Sequence, residues 1–138
     1  MNISVLKKLA FAFVLSLVLF GTVHAQTTTD KTQIIQAAID LPEIQSHFKG
    51  KNPADQLYIL DNGKILKTLK LQKFGKPVII TGISGIPANT PYIEFGQADF
   101  KSTSADLGFK LSDGSFKINA KFHKKGSKWA KVSAEMKN

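Results

Sequence analysis

The sequence predicts an α+β fold, with one or two N-terminal helices packed on a curved antiparallel sheet of four to six strands. Three observations predict it. Apolar residues recur at helical spacing early in the chain, at Ile34, Ile35, Ala38 and Ile39, then at Leu41, Ile44 and Phe48. Three later runs alternate apolar with polar or small residues: Leu107, Phe109, Leu111; Phe116, Ile118, Ala120, Phe122; and Ala130, Val132, Ala134, Met136. Such alternation marks strands with one wet face and one packed face, and the helices are the available cover for the packed face. The third observation is compositional. At 138 residues, 43% hydrophobic and without cysteine, the chain suits one domain stabilised by a core rather than by disulfides.

Residues 1–25 read as a secretory signal peptide. Lys7 and Lys8 form its basic start, Leu9 to Phe20 an apolar run of twelve residues broken only by Ser16, and Val23-His24-Ala25 a cleavage site of compact residues. A membrane span needs about 20 apolar residues, so this run is too short to anchor the chain. Cleavage after Ala25 leaves residues 26–138 as a single domain in the periplasm or outside the cell, with no transmembrane anchor.

After a polar lead, a first helix is expected over 30–39, with Asp30 and Gln33 in a capping-box pattern. Asp40-Leu41-Pro42 interrupts it, and proline suits the first turn of a second helix over 42–48. Lys49 to Asp55 reads as a loop and Gln56 to Leu60 as a strand. Asp61-Asn62-Gly63 is a turn signal, because asparagine and glycine accept positive φ. Lys64 to Phe74 reads as a strand on the alternation of Leu69 and Leu71 with Lys70 and Gln72, although lysine at every third position suits a helix equally. Pro77 to Thr81 is a short β-prone segment, Gly82 to Pro91 a loop and Tyr92 to Phe100 a strand. Ser112-Asp113-Gly114 and Lys124-Lys125-Gly126-Ser127 turn the chain between the last three strands. If Ala130 faces the core, Trp129 points away from it and offers a contact surface. The alternatives are that the indole caps the open end of the sheet, or that a bulge after Gly126 reverses the register.

The closing run from Phe116 to Val132 has one strand ending in a lysine–glycine turn and Trp129 opening the next. It resembles the final hairpin of small nuclear-transport-factor-like and cystatin-like domains, in which a curved sheet wraps a helix. The order of elements is similar to theirs, and the whole chain resembles small exported bacterial domains of this kind. The resemblance implies a cone-shaped fold and carries no catalytic residue. The Gln-x-Val-x-Gly loop of cystatin protease inhibitors has no counterpart, since Gln72-Lys73-Phe74-Gly75 lacks the valine and the spacing.

Residue types exclude much chemistry. Without cysteine there is no thiol catalysis, zinc–thiolate site, iron–sulfur cluster or lipoprotein anchor. All 19 basic residues are lysines, so no guanidinium clamp exists. Neither a glycine-rich phosphate loop nor a nucleophile elbow occurs, and no cofactor is implied. Outside the signal segment histidine occurs only at His47 and His123, too few for a metal site without carboxylates from elsewhere. The catalytic candidates are Asp99 and His123, with Glu94 and Asp106 nearby in sequence; all four read equally as polar residues on wet strand faces.

The charge, +9 for the chain, is the unusual feature. Lys64, Lys67, Lys70, Lys73 and Lys76 fall within thirteen residues, and Lys117, Lys121, Lys124, Lys125, Lys128 and Lys131 gather about the last hairpin. The candidate binding surface is therefore Lys67, Lys70, Lys73, Lys121, Lys124, Lys125, Lys128 and Trp129, facing an anionic glycan or another envelope component. Stacking aromatics are too few to favour nucleic acid. Lysines on strand faces also serve solubility and edge protection. The expected function is an exported, non-enzymatic binding or accessory domain. The alternatives are a small-pocket cone-fold enzyme using Asp99 or His123, and a lysine-mediated polyanion binder.

Overall fold

The structure, a computed structural model, describes residues 27–48 and 56–137. The signal segment and the expected loop 49–55 lie outside the described residues. Helix α1 spans Thr28–Ile39 and α2 spans Pro42–Phe48. The start of α1 precedes the expected one, because Thr27 is the N-cap. The Thr27 hydroxyl accepts from the Asp30 N–H at 3.1 Å, and the Asp30 carboxylate accepts from the Thr27 N–H at 3.4 Å. The capping box is thus Thr27–Asp30 rather than Asp30–Gln33, and it places a carboxylate in the first turn, where the helix dipole favours it.

The strands are β1 (Tyr58–Leu60), β2 (Gln72–Lys73), β3 (Lys76–Pro77), β4 (Ile79–Thr81), β5 (Ile93–Phe100), β6 (Ser104–Leu111), β7 (Lys117–Lys125) and β8 (Lys128–Lys137). Six of them form one sheet in the order β4–β1–β5–β6–β7–β8, which does not close into a barrel; β2 and β3 pair separately. From β5 to β8 every pairing is antiparallel, giving the expected meander. By contrast, β1 pairs parallel with both β4 and β5, so the sheet is mixed rather than wholly antiparallel. The β7–β8 hairpin closes through Gly126-Ser127, with Gly126 at φ 62° in the first loop position, where a type II′ turn requires it.

Segment 64–74, expected as a strand, is irregular except at Gln72 and Lys73. Ile65, Leu69 and Leu71 are all buried and have the parity of one strand face, but among the described residues no strand pairs with positions 64–71. The Gln72 backbone is satisfied by a side chain. Gln36 Nε2 donates to its carbonyl at 2.8 Å, and Gln36 Oε1 accepts from its N–H at 3.0 Å. The Asp61-Asn62-Gly63 turn forms as expected, with Gly63 at φ 86°. Asn62 Nδ2 then donates to the Phe95 carbonyl at 2.8 Å, tying the irregular segment to β5.

The core lies between the helices and one face of the sheet. Ile34, Ile35, Ile39, Ile44 and Phe48 of the helices meet Phe95, Phe109, Ile118 and Phe122 of the strands, all at most 1% exposed. The Phe95 and Phe109 rings lie 5.0 Å apart, a favourable tilted pair.

Two bulges decide which side chains face which way. On β5, Phe95 pairs with Phe109 and Gln97 with Gly108, so Gly96 is the extra residue. Were Gly96 paired in a regular strand instead, Gln97 and Asp99 would continue the buried series of Ile93 and Phe95. With the bulge, Ala98 and Phe100 pack on the core while Gln97 and Asp99 are exposed. On β8, Lys121 pairs with Ser133 and Phe122 with Lys131, leaving Val132 as the extra residue. Val132 is 58% exposed, contrary to the expectation that it faces the core, and Trp129 packs against the core instead. The reversal of register considered for Trp129 does occur, at Val132 rather than directly after Gly126.

Candidate functional site: the outer face of the sheet

The face of β5–β8 away from the helices is covered by no described element, and most of its side chains are polar. Residues paired across neighbouring strands share a face, so the register arranges this surface in rows. One row is Glu94–Lys110–Lys117–Lys137. The next is Gln97–Gly108–Asn119–Glu135, and the third is Asp99–Asp106–Lys121–Ser133.

Charge on this face is segregated. Three lysines stand side by side in the first row, and two aspartates oppose each other in the third. Glu94 Oε2 lies 3.6 Å from Lys110 Nζ and Asp106 Oδ1 lies 4.0 Å from Lys121 Nζ, so each cluster is offset at one side only. Lys117 has no ion pair among the described residues. Asp99 Oδ2 accepts from Gln97 Nε2 at 2.7 Å.

Gly108 makes room in the middle row. A Cβ there would stand 3.1 Å from Asn119 Oδ1 and 3.3 Å from Gln97 Cβ. The two amide side chains therefore close in over a residue without one. Around this notch lies a depression of about 330 Å³, bounded by Glu94, Gln97, Lys110, Lys117 and Asn119. A second, of about 430 Å³, shares Gln97 and Asn119 and continues to Asp106, Lys121, Ser133 and Glu135. Chemically the surface can accept hydroxyls at its carboxylates and amides and anions at its lysines.

The catalytic candidates do not meet. Strand β6 separates their strands, and the register sets Asp99 level with Asp106 but His123 level with Ser104 and Ala130. Both are exposed. His47 lies beside the core, its ring 4.7 Å from that of Phe116. Among the described residues no three His, Asp or Glu side chains are grouped to hold a metal ion.

The lysine candidates scatter. Lys73 is only 7% exposed, with its Nζ 3.3 Å from Asp40 and 5.4 Å from the centre of the Phe74 ring. Lys124 Nζ is 3.3 Å from Asp30, Lys67 Nζ is 3.7 Å from Asp61, and Lys121 belongs to the outer face. Lys125 and Lys128 oppose each other at the hairpin end. Three candidates do come together: Lys70, Lys128 and Trp129 line a shallow depression of about 400 Å³ between α1 and β8. The outer-face residues Gln97, Lys110, Asn119 and Lys137 were not singled out by the sequence, since only cross-strand register aligns them.

No described helix is long and apolar enough to cross a membrane. Comparison with protein-family models, with curated proteins and with solved structures found no match.

Proposed function

We propose that the protein is an exported, non-enzymatic binding domain that holds its ligand on the outer face of β5–β8. The observation that carries this reading is the segregated charge on an uncovered surface. Like charges directly opposite each other destabilise a sheet, whereas alternating them stabilises it, so stability alone does not account for the arrangement. Non-enzymatic use is supported by the exposure and separation of Asp99 and His123. A general acid or base works best in a dry, enclosed site with its partner at hydrogen-bond distance. Export is supported by the signal pattern of residues 1–25. Kinship with cystatin-like or nuclear-transport-factor-like domains is supported by the order of helices and meander and by Trp129 at the start of β8.

The test is a set of ¹H–¹⁵N titrations of the purified protein with neutral and acidic oligosaccharides. Shifts clustered on Gln97, Gly108, Asn119 and their neighbours are expected. Shifts confined elsewhere, or none, would overturn the outer-face reading. Sequencing the N-terminus of the processed protein should find Gln26 first.

A second reading, a polyanion laid on the hairpin side, is favoured by the joint lining of one depression by Lys70, Lys128 and Trp129. Binding there should weaken strongly between low and moderate salt.

A further inference from the structure

We infer that Lys110, Lys117 and Lys137 form an oxyanion subsite of the outer face, taking a phosphate, sulfate or carboxylate group of the ligand. The inference rests on that face being the binding face, and adds the chemical class of group bound.

Three observations carry it. First, the row is contiguous: Lys110 opposes Lys117, and Lys117 opposes Lys137. Neighbouring strands lie about 4.8 Å apart, so three flexible lysine stems can bring their ammonium groups onto one small anion. Second, edge protection explains only one of the three. Lysine on an edge strand discourages sheet-to-sheet pairing. Lys137 is on the edge strand β8, but Lys110 and Lys117 are on the interior strands β6 and β7. Third, the neutralisation is lopsided. Glu94 pairs with Lys110 at 3.6 Å, while Lys117, the middle of the row, has no ion pair among the described residues. Asn119, two residues along β7, borders the same depression and can add an amide donor. An anion bound at Lys117 would turn the repulsion within the row into attraction.

The experiment titrates the purified protein with inorganic phosphate, and in separate arms with sulfate and acetate. Chloride replaces the probe at matched ionic strength, so that screening alone cancels. Backbone amides are followed in ¹H–¹⁵N spectra. Saturable shifts at Lys110, Lys117, Asn119 and Lys137 are expected, and the arm with the tightest binding names the anion. Lys117→Gln should weaken that binding at least tenfold, whereas Lys64→Gln, an exposed lysine outside the row, should leave it unchanged. Lys117→Gln should also melt above the wild type at low salt, since it relieves repulsion; loss of binding then cannot be loss of fold. Absence of saturable shifts in every arm, equal weakening by Lys64→Gln, or a lower melting temperature for Lys117→Gln would overturn the subsite. If neutral oligosaccharides move Gln97 and Asn119 while no anion moves the lysine row, the subsite fails and the outer-face reading stands. If neither moves that face, both fail.

Discussion

The Asp30 carboxylate accepts from Trp129 Nε1 at 3.0 Å, lies 3.3 Å from Lys124 Nζ, and closes the capping box with Thr27. It therefore joins the start of α1 to both strands of the β7–β8 hairpin. The indole N–H is the main influence that holds its pKa below the ordinary value of 3.8; Thr27 and Lys124 add to it, and partial burial opposes it. A carboxylate with a lowered folded pKa contributes stability that is complete above its unfolded value and is lost as pH falls through the folded one. Asp30→Asn is thus expected to cost about 1–3 kcal/mol at neutral pH. The gap from wild type should narrow as pH drops below 3.8, read from urea melts across pH 2–7. Trp129→Phe should keep most of the packing, lose the hydrogen bond and raise the Asp30 pKa, measurable by carbon-detected NMR titration. Asp30 was legible in the sequence as a cap and Trp129 as an ambiguity. Their meeting was not legible, because 99 positions separate them and only the tertiary fold closes that distance.

At the scale of elements, the helices and the long meander were legible because each carries its own period. Ile34 to Phe48 repeats at helical spacing, and the three last strands alternate. Segment 64–74 was misread because Ile65, Leu69 and Leu71 keep the alternation of a strand, while among the described residues no neighbouring strand pairs with positions 64–71. The bulges were illegible for a related reason. Ala130, Val132, Ala134 and Met136 continue one apparent pattern, yet the extra residue Val132 changes its face midway. A bulge shows in the sequence only through the pairing it interrupts. Deleting Val132 is expected to remove the bulge while keeping the pairs Phe122–Lys131 and Lys124–Trp129, so that Trp129 stays packed beside α1. As Trp129 is the protein's sole tryptophan, its emission maximum should stay where it is. The bond to Asp30 and the packing on the core should be kept with it. A shift of the emission to the red would mean that Trp129 depends on the twist of the bulge for its place. In the core, Phe109→Ala removes one ring of the Phe95–Phe109 pair and should cost about 3–5 kcal/mol in denaturant melts.

Across the whole molecule, the two faces of the sheet follow opposite rules. The inner face is filled by aromatic and branched side chains that leave their wet neighbours to the outside. The outer face sets Lys110, Lys117 and Lys137 side by side with Glu94 as the one acid in their row, and the chain as a whole has a formal charge of +9. Salt acts on two opposing contributions here. The exposed pairs Lys110–Glu94, Lys121–Asp106 and Lys67–Asp61 weaken in salt, but such pairs contribute only about 0–1 kcal/mol each. Repulsion among the surplus lysines acts over longer distances, and screening shortens its reach from about 30 Å at 0.01 M salt to about 8 Å at 0.15 M. The second contribution should win, so the protein is expected to melt higher at 0.15 M sodium chloride than at 0.01 M. Lys117→Glu tests the source of the effect. It converts the row of like charges into an alternating one, and should add about 0.2–1 kcal/mol for each cross-strand pair improved. It should also flatten the salt dependence, since less repulsion is left to screen. A wild type whose melting temperature falls or stays level with salt would show that the charged rows place no strain on the fold, and would remove the energetic argument for a ligand at Lys117.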